Sequence, residues 1–325
     1  VAILCARMTS ERFPGKVLAD LGGKPVLSYI VDRLRMVQGL SEIVVATTTE
    51  KMDDPICQLA VRIGVKIFRG SRDDVAERMQ GALHHHAWDA DLVFRAMCDQ
   101  PFLDWSGLNE SIRLLQAYPD WDFILPLAFN EEPVYGAGIS PWSKRAWSAI
   151  NAGSTGSDRE HVGAWLRRNM SKMDYALLEM GHWSYRPYRL ELDTPDDLAL
   201  FRMIHKGWEQ DKGSGPPPLR WVIAYLDRNQ QLASMNSHIR ERTGPFTSFT
   251  KDDVAAWQRD YGNRPIVWGE QLELIGLMHS TEKPYRCELC GGMLVATGIK
   301  RGDLHMKCVR CKKERTFYAA RPQKG

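Results

Sequence analysis

The feature that most constrains this chain is its opening. A short apolar run, Val1-Ala2-Ile3-Leu4-Cys5-Ala6, passes directly into Arg7-Met8-Thr9-Ser10-Glu11-Arg12-Phe13-Pro14-Gly15-Lys16. The run reads as a buried strand, and the segment after it as a loop carrying three cations, two hydroxyls and a Pro-Gly turn. An open α/β sheet places its ligand just beyond the carboxyl ends of its strands. Arg7, Arg12 and Lys16 need an anion to face if they leave water, and a polyphosphate is the expected one. The loop is thus read as a nucleoside triphosphate loop. It is not a Walker loop, because the Gly-x-x-x-x-Gly-Lys-Ser/Thr pattern is missing.

The pattern of that first strand recurs. Strands are expected at Val1–Ala6, Glu42–Thr47, Lys66–Phe68, Asp91–Ala96 and Phe123–Pro126, and helices at Pro25–Met36, Pro55–Ile63, Asp74–Ala87 and Trp105–Ala117. Apolar runs of this length separated by amphipathic helices predict an α/β fold with a mostly parallel, doubly wound sheet. Tyr188-Arg189-Leu190-Glu191-Leu192 alternates and reads as one more strand. The run Asp211-Lys212-Gly213-Ser214-Gly215-Pro216-Pro217-Pro218 has a linker's composition. The expected organisation is an α/β domain over 1–207, a linker over 208–218, a small helical segment over 219–284 and a ribbon over 285–325. In the helical segment, Trp221–Arg242 and Lys251–Asp260 are the expected helices.

The ribbon is read from its cysteines. Cys287-x-x-Cys290 and Cys308-x-x-Cys311 stand seventeen residues apart, a spacing suited to four thiolates around a structural Zn²⁺, with Met293–Lys307 as a hairpin between them. Four sulfur ligands close the coordination shell, so this zinc would hold the fold together and take no part in chemistry. Cys5, Cys57 and Cys98 stand alone in apolar surroundings. An odd total of seven with two such pairs fits a reduced, cytoplasmic setting better than a disulfide framework. No stretch approaches the roughly 18 apolar residues of a membrane span. Residues 285–325 carry ten Lys/Arg against three acids, a net +7, which leaves −4 for the rest of a chain whose formal charge is +3. That basic tail, with Tyr285, Phe317 and Tyr318, is compatible with nucleic acid; zinc ribbons equally serve as protein-docking or purely structural modules.

Five segments in order carry a family resemblance: Ala6 to Lys16, Leu21-Gly22-Gly23-Lys24-Pro25, Cys98-Asp99-Gln100-Pro101, Asp158-Arg159-Glu160-His161-Val162, and Leu192-Asp193-Thr194-Pro195-Asp196-Asp197-Leu198. Over about residues 1–205 the chain resembles the cytidylyltransferases that make nucleotide-activated sugars. It is nearest the spore-coat polysaccharide biosynthesis branch, related to the CMP-acid-sugar synthetases. The resemblance implies a nucleotide-diphospho-sugar transferase sheet and transfer of CMP from CTP to a sugar-like acceptor, with release of pyrophosphate. It further implies catalytic roles for Arg7, Arg12, Lys16 and Asp99. Nucleotide contacts would come from Ala6, Arg7, Ser10, Arg12, Lys16, Thr47 and Arg78. Asp99 and Asp193 would hold Mg²⁺, which takes one or two carboxylates plus phosphate oxygens.

Asp193-Thr194-Pro195 also reads as a helix start, with Asp193 or Thr194 as the cap. Arg159, Glu160 and His161 read equally as acceptor ligands or as an ordinary helix start. Cys98 stands where the family usually has glycine. Two other functions fit these residues: a metal-dependent glycosyltransferase using a nucleotide sugar, and a nucleic-acid-binding or scaffold protein with a nucleotide-sensing domain. A homodimer is left open, and nothing suggests a membrane partner.

Overall fold

The computed structural model describes residues 1–126, 134, 136–138, 140–179, 186–212 and 215–239, and beyond them the strands 266–268, 294–300, 303–308 and 314–317 with Lys312. Strands β1 (Ala2–Cys5), β4 (Ile43–Thr48), β5 (Lys66–Gly70), β6 (Leu92–Met97), β7 (Phe123–Pro126), β8 (Trp142–Ser143), β9 (Tyr175–Glu179) and β10 (Ile266–Trp268) form one eight-stranded sheet in the order β10-β9-β7-β8-β6-β1-β4-β5. Two short strands, β2 (Asp20–Leu21) and β3 (Lys24–Pro25), make a separate hairpin. Every pairing in the large sheet is parallel except those of β8, a two-residue strand wedged antiparallel between β6 and β7. Parallel strands must be covered on both faces, which is why β1, β4 and β6 are mostly apolar on both faces, Arg95 and the terminal Thr47-Thr48 apart.

Alternation within those strands divides the core. Ala2, Leu4, Val45, Phe94 and Ala96 point to one face, covered by α1 (Val26–Leu34), α2 (Asp54–Arg62), α4 (Trp105–Ala117) and α7 (Pro195–Lys212). Ile3, Val44, Ala46 and Val93 point to the other, covered by α3 (Val75–His86), α5 (Lys144–Gly153) and α6 (Ala164–Arg168). Sequential strands run β1, β4, β5 outward in one direction, and β6 returns to the far side of β1. This reversal makes the β1/β6 boundary the topological switch point, where a crevice opens beyond the strand ends.

Three expectations need correction. Tyr188–Leu192 is no sheet strand; it is an extended run with a single bridging residue, Arg189. Its alternation is real, because Tyr188, Leu190 and Leu192 are buried in the core. The run lies where the backbone of Gly136 approaches so closely that a Cβ there would stand 2.6 Å from the Leu190 carbonyl carbon, at a φ of 90°. Helix α7 runs on to Lys212 and takes in the first residues of the expected linker. The expected helix over Trp221–Arg242 is instead α8 (Leu219–Arg228) and a single turn, α9 (Gln230–Ala233), interrupted at Asn229 by φ −128° and ψ 64°. Leu219, Val222, Ile223 and Leu226 of α8 belong to the same buried cluster as β1 and α1, so this segment packs on the sheet domain. The expected helix Lys251–Asp260 lies outside the described residues.

In the tail, β11 (Leu294–Lys300), β12 (Asp303–Cys308) and β13 (Glu314–Phe317) form a three-stranded antiparallel sheet. Its first pair coincides with the hairpin read from the sequence. Cys287, Cys290 and Cys311 lie outside the described residues. Cys308 ends β12, directly across from Leu294. Among the described residues no helix is long and apolar enough to cross a membrane.

Candidate active site

The cationic loop leaves β1 and turns back on itself. Gly15 N and Ser10 N both donate to the Met8 carbonyl, at 2.9 and 3.1 Å. Gly15 makes the reversal at φ 74°, a conformation that a side chain would strain. One residue later, Lys16 begins a short 3₁₀ turn with its side chain directed into the crevice. The outer edge of the loop is pinned by Asp53, which is buried: one carboxylate oxygen accepts from Met8 N at 2.7 Å, and the other accepts from both the amide and the hydroxyl of Thr48.

Lys16 is the centre of the site. Its ammonium donates to Asp99 Oδ2 at 3.1 Å, Asp193 Oδ1 at 3.1 Å and the Leu192 carbonyl at 2.7 Å, which satisfies all three of its protons. Burial alone would lower the Lys16 pKa; the facing carboxylates outweigh it and raise it above the ordinary lysine value. Asp193 is the most contacted acid. Arg12 Nη2 reaches its Oδ2 at 2.6 Å and Arg189 Nη2 reaches the same oxygen at 2.5 Å. Burial favours the neutral acid, but Lys16, Arg12 and Arg189 together hold Asp193 below the usual carboxylate range. Asp99 leaves the end of β6 and gives one oxygen to Lys16. Its Oδ1 is buried and has no hydrogen-bond partner among the described residues. Between these two carboxylates, Leu192 N donates to the Asp99 carbonyl at 2.7 Å, which ties the run before Asp193 to the segment that follows β6.

Other expected residues lie around this centre. Arg7 pairs with Glu160 at 3.4 Å, both partly exposed, so the first loop already meets the Asp158–Val162 segment. Arg159 turns away: it bonds Asp74, the cap of α3, and the Asn151 carbonyl at 3.2 Å. The His161 backbone closes a turn onto the Ser157 carbonyl at 2.9 Å. Arg78 is buried and donates to the Ser71 and Arg72 carbonyls, fixing the turn between β5 and α3. Thr47 is buried at the end of β4 with its hydroxyl unpartnered among the described residues, and Ala6 N bonds the neighbouring Ala46 carbonyl at 3.2 Å. Ser10 sits half-buried in the loop. The Cys98 thiol, beside Asp99, is pushed up to about 12 by burial first and that carboxylate second, so it stays neutral.

Sequence reasoning missed four residues: Asp53, Arg189, Asp197 and Asn236. Asp197 had a signal. Thr194 and Asp197 form a reciprocal cap, with Thr194 N donating to Asp197 Oδ2 at 2.8 Å and Asp197 N to the Thr194 hydroxyl at 3.3 Å. Thr194 is therefore the cap, and Asp193 is left free for the crevice. Asp53 and Asn236 act through contacts with distant segments, Met8 for one and Arg189 and Asp197 for the other. Arg189 bonds acids within eight residues of itself, in a run expected to be a strand.

Two carboxylates and a cluster of cations at a switch point are the equipment of an enzyme that handles polyphosphates. Residues 1–214 match the family model described as cytidylyltransferase. The chain belongs to the cytidylyltransferase family. Among curated proteins it is 28% identical over 241 residues to the spore coat polysaccharide biosynthesis protein SpsF of Bacillus subtilis, covering 71% of this chain and 95% of that one. It is 27% identical over 236 residues to the 3-deoxy-manno-octulosonate cytidylyltransferase of Geobacter sulfurreducens, covering 63% and 87%. A solved cytidylyltransferase from Leptospira borgpetersenii shares the fold with a TM-score of 0.65 at 24% identity, over 74% of this chain and 98% of that one. This cytidylyltransferase-family domain thus has the mostly parallel α/β sheet that the resemblance implied.

Proposed function

We propose that this protein transfers CMP from CTP to a sugar-like acceptor, releasing pyrophosphate, with Mg²⁺ as the catalytic ion. The observation that carries the reading is the single ammonium of Lys16 held between Asp99 and Asp193, with Arg12 on the same carboxylate. An acceptor oxygen attacks the α-phosphorus of CTP, and the bond to the β-phosphate breaks. The protein's task is to bring charges together and align them; little covalent chemistry falls to it. Arg7, Arg12 and Lys16 bind the phosphates, the arginines by paired hydrogen bonds and the lysine as a point charge. The backbone around Ala6 and Ser10 follows the triphosphate, and Thr47, whose hydroxyl has no partner among the described residues, serves on the side of the base. Arg78, which holds the turn between β5 and α3, is proposed to contribute to the nucleotide side from there. Arg159, Glu160 and His161 border the acceptor side, with Glu160 and Arg7 meeting across the crevice.

The donor set fits a hard divalent cation. Asp99 Oδ1 is a buried acceptor without a partner among the described residues, and Asp99 and Asp193 share the Lys16 ammonium through Oδ2 and Oδ1. Mg²⁺ held by these two would screen the phosphate charge that otherwise repels the attacking oxygen. In the tail, Cys287, Cys290, Cys308 and Cys311 are proposed to hold a structural Zn²⁺. What supports this reading is the Cys-x-x-Cys spacing, with Cys308 ending β12 across from Leu294, a residue that follows Cys290 by four in the sequence. The ribbon's positive charge keeps nucleic acid as a partner class; salt-dependent DNA or RNA binding, lost on deleting 285–325, is the measurement that supports it.

Pyrophosphate release, measured with a panel of triphosphates and acidic or neutral sugars, tests the reading. Turnover with CTP, abolished in Asp99→Ala, is expected. Tighter binding of a nucleotide sugar than of CTP would move the protein to the glycosyltransferase class. No nucleotide binding at all, with Asp99→Ala indistinguishable from the parent, would sink it.

A further inference from the structure

The family match ends at residue 214, yet the polar contacts of the crevice continue past it. The run from Arg186 to Asp193 carries one of the two central carboxylates and forms none of the described strands of the large sheet. Among the described residues its backbone is held by the bridge at Arg189 and the bond from Leu192 N to the Asp99 carbonyl. Its outer side is bonded to the segment 219–239. Asp227 of α8 accepts from Arg186 Nε at 3.0 Å and from the Tyr188 hydroxyl at 2.6 Å, while Gln230 Nε2 donates to that hydroxyl at 3.1 Å. Closest to Asp193 stands Asn236, 1% exposed. Its Nδ2 donates to the Arg189 carbonyl at 3.0 Å and to Asp197 Oδ1 at 2.8 Å. Both neighbours are acceptors, so only the NH₂ group can face them, and the amide has one orientation.

Each group that Asn236 touches leads to Asp193. Asp197 is fully buried, and its other oxygen accepts from Asp193 N at 2.9 Å, which fixes the backbone of that residue. Arg189, whose carbonyl Asn236 grips, sends its guanidinium to the Asp193 carboxylate. One amide therefore sets both the main chain and the charged end of the residue that faces Lys16. We propose that Asn236 is a positioning residue for Asp193, so that the segment 219–239 completes the nucleotide site of the sheet domain. This inference rests on the CTP and Mg²⁺ reading above.

The measurement is calorimetric titration of the full chain with CTP, once with Mg²⁺ and once in EDTA. The ratio of the two affinities reports the part of binding that passes through the carboxylates. In Asn236→Ala that ratio is expected to shrink about tenfold, the lower end of what outer-shell partners of metal ligands contribute. Affinity in EDTA should hold or rise, because a displaced Asp193 competes less with phosphate for Arg12 and Lys16. Asp193→Asn should reproduce the pattern, and the double variant should lose nothing further. Should Asn236→Ala fail to fold by circular dichroism, Asn236→Ser, which keeps one donor, carries the same comparison with a smaller shift. Equal weakening with and without Mg²⁺, or affinities unchanged in both, overturns the role of Asn236 and leaves the CTP reading standing. A parent chain that binds CTP under neither condition takes both down.

Discussion

The two sides of the crevice are held in different ways. On one side the backbone of the cationic loop from Arg7 to Lys16 closes on the Met8 carbonyl, turns at Gly15 and is pinned by Asp53, while the side chains of Arg12 and Lys16 reach across to Asp193 and Asp99. On the other, Asp99 follows a regular strand, while Asp193 ends a run outside the described strands of the large sheet, held by the side chains of Asp197, Arg189 and Asn236. The first side is a local structure that any sequence with the same turn would form. The second is an assembly of residues from 186 to 236, and removing any one loosens the rest. The backbone shape of the loop and the placement of the metal-side carboxylate should therefore fail separately, with Arg12 and Lys16 as the side chains that join the two.

Breaking the second side at its centre should cost most. Asp99→Ala and Asp193→Asn are each expected to lower kcat on the order of 10²–10³, as when a preorganised charge is removed from a closed site. Lys16→Met should match that loss and also destabilise the fold by about 3 kcal/mol, since it leaves buried carboxylates short of their cation. Denaturant unfolding separates the two effects. If Lys16→Met retains full stability, the ammonium is not the keystone that its three bonds suggest.

Acidity tests the same cluster. Asp193 sits below its unfolded value, so its contribution is present above about pH 4 and is lost as pH falls through the lower folded value. Lys16 is raised above 10.5, so its contribution is complete below that value and disappears only in stronger alkali. Stability owed to this cluster should be level from about pH 5 to 9 and fall below about pH 4. The acid limb should be shallower in Asp193→Asn. A midpoint that drifts near neutrality would locate the titrating group elsewhere.

The first side should respond more mildly. Asp53→Ala leaves Met8 N and the two Thr48 donors without their acceptor, a cost of about 1–3 kcal/mol. The loosened loop should raise the KM for CTP about tenfold, while the Mg²⁺-dependent gain in affinity stays intact. A matching loss of metal dependence would mean that the two sides are one unit after all.

What could be read in the sequence follows the same division. Loops at the ends of β1 and β6 announce themselves, because a buried strand must stop where its charges begin; Arg7, Arg12, Lys16 and Asp99 were legible for that reason. Asp193 was legible from the resemblance, but its supporting run was misread as a strand. Alternation records burial on one side, and Tyr188, Leu190 and Leu192 are buried without being in the sheet. Arg159 and Arg78 have contacts that sequence does not announce. Arg159 bonds Asp74, the cap of α3, and Arg78 Nη1 bonds the Ser71 carbonyl in the turn before that helix. Asn236 had no signal, since a lone asparagine after a helix is ordinary in composition, and its partners lie 39 and 47 residues away.

The smallest effect should come where the two sides touch in solvent. Arg7 and Glu160 stand 3.4 Å apart, with side chains 37% and 45% exposed. Water screens such a pair, so Glu160→Gln should change stability by less than about 0.5 kcal/mol. Its consequence for binding has the other sign. With Glu160 neutral, Arg7 is released towards the phosphates, and CTP should bind up to about twofold more tightly in low salt, the gain fading as ionic strength rises. If CTP binding instead weakens in Glu160→Gln at every salt concentration, the carboxylate contributes to the bound state, and the contact between the two sides is part of the working site.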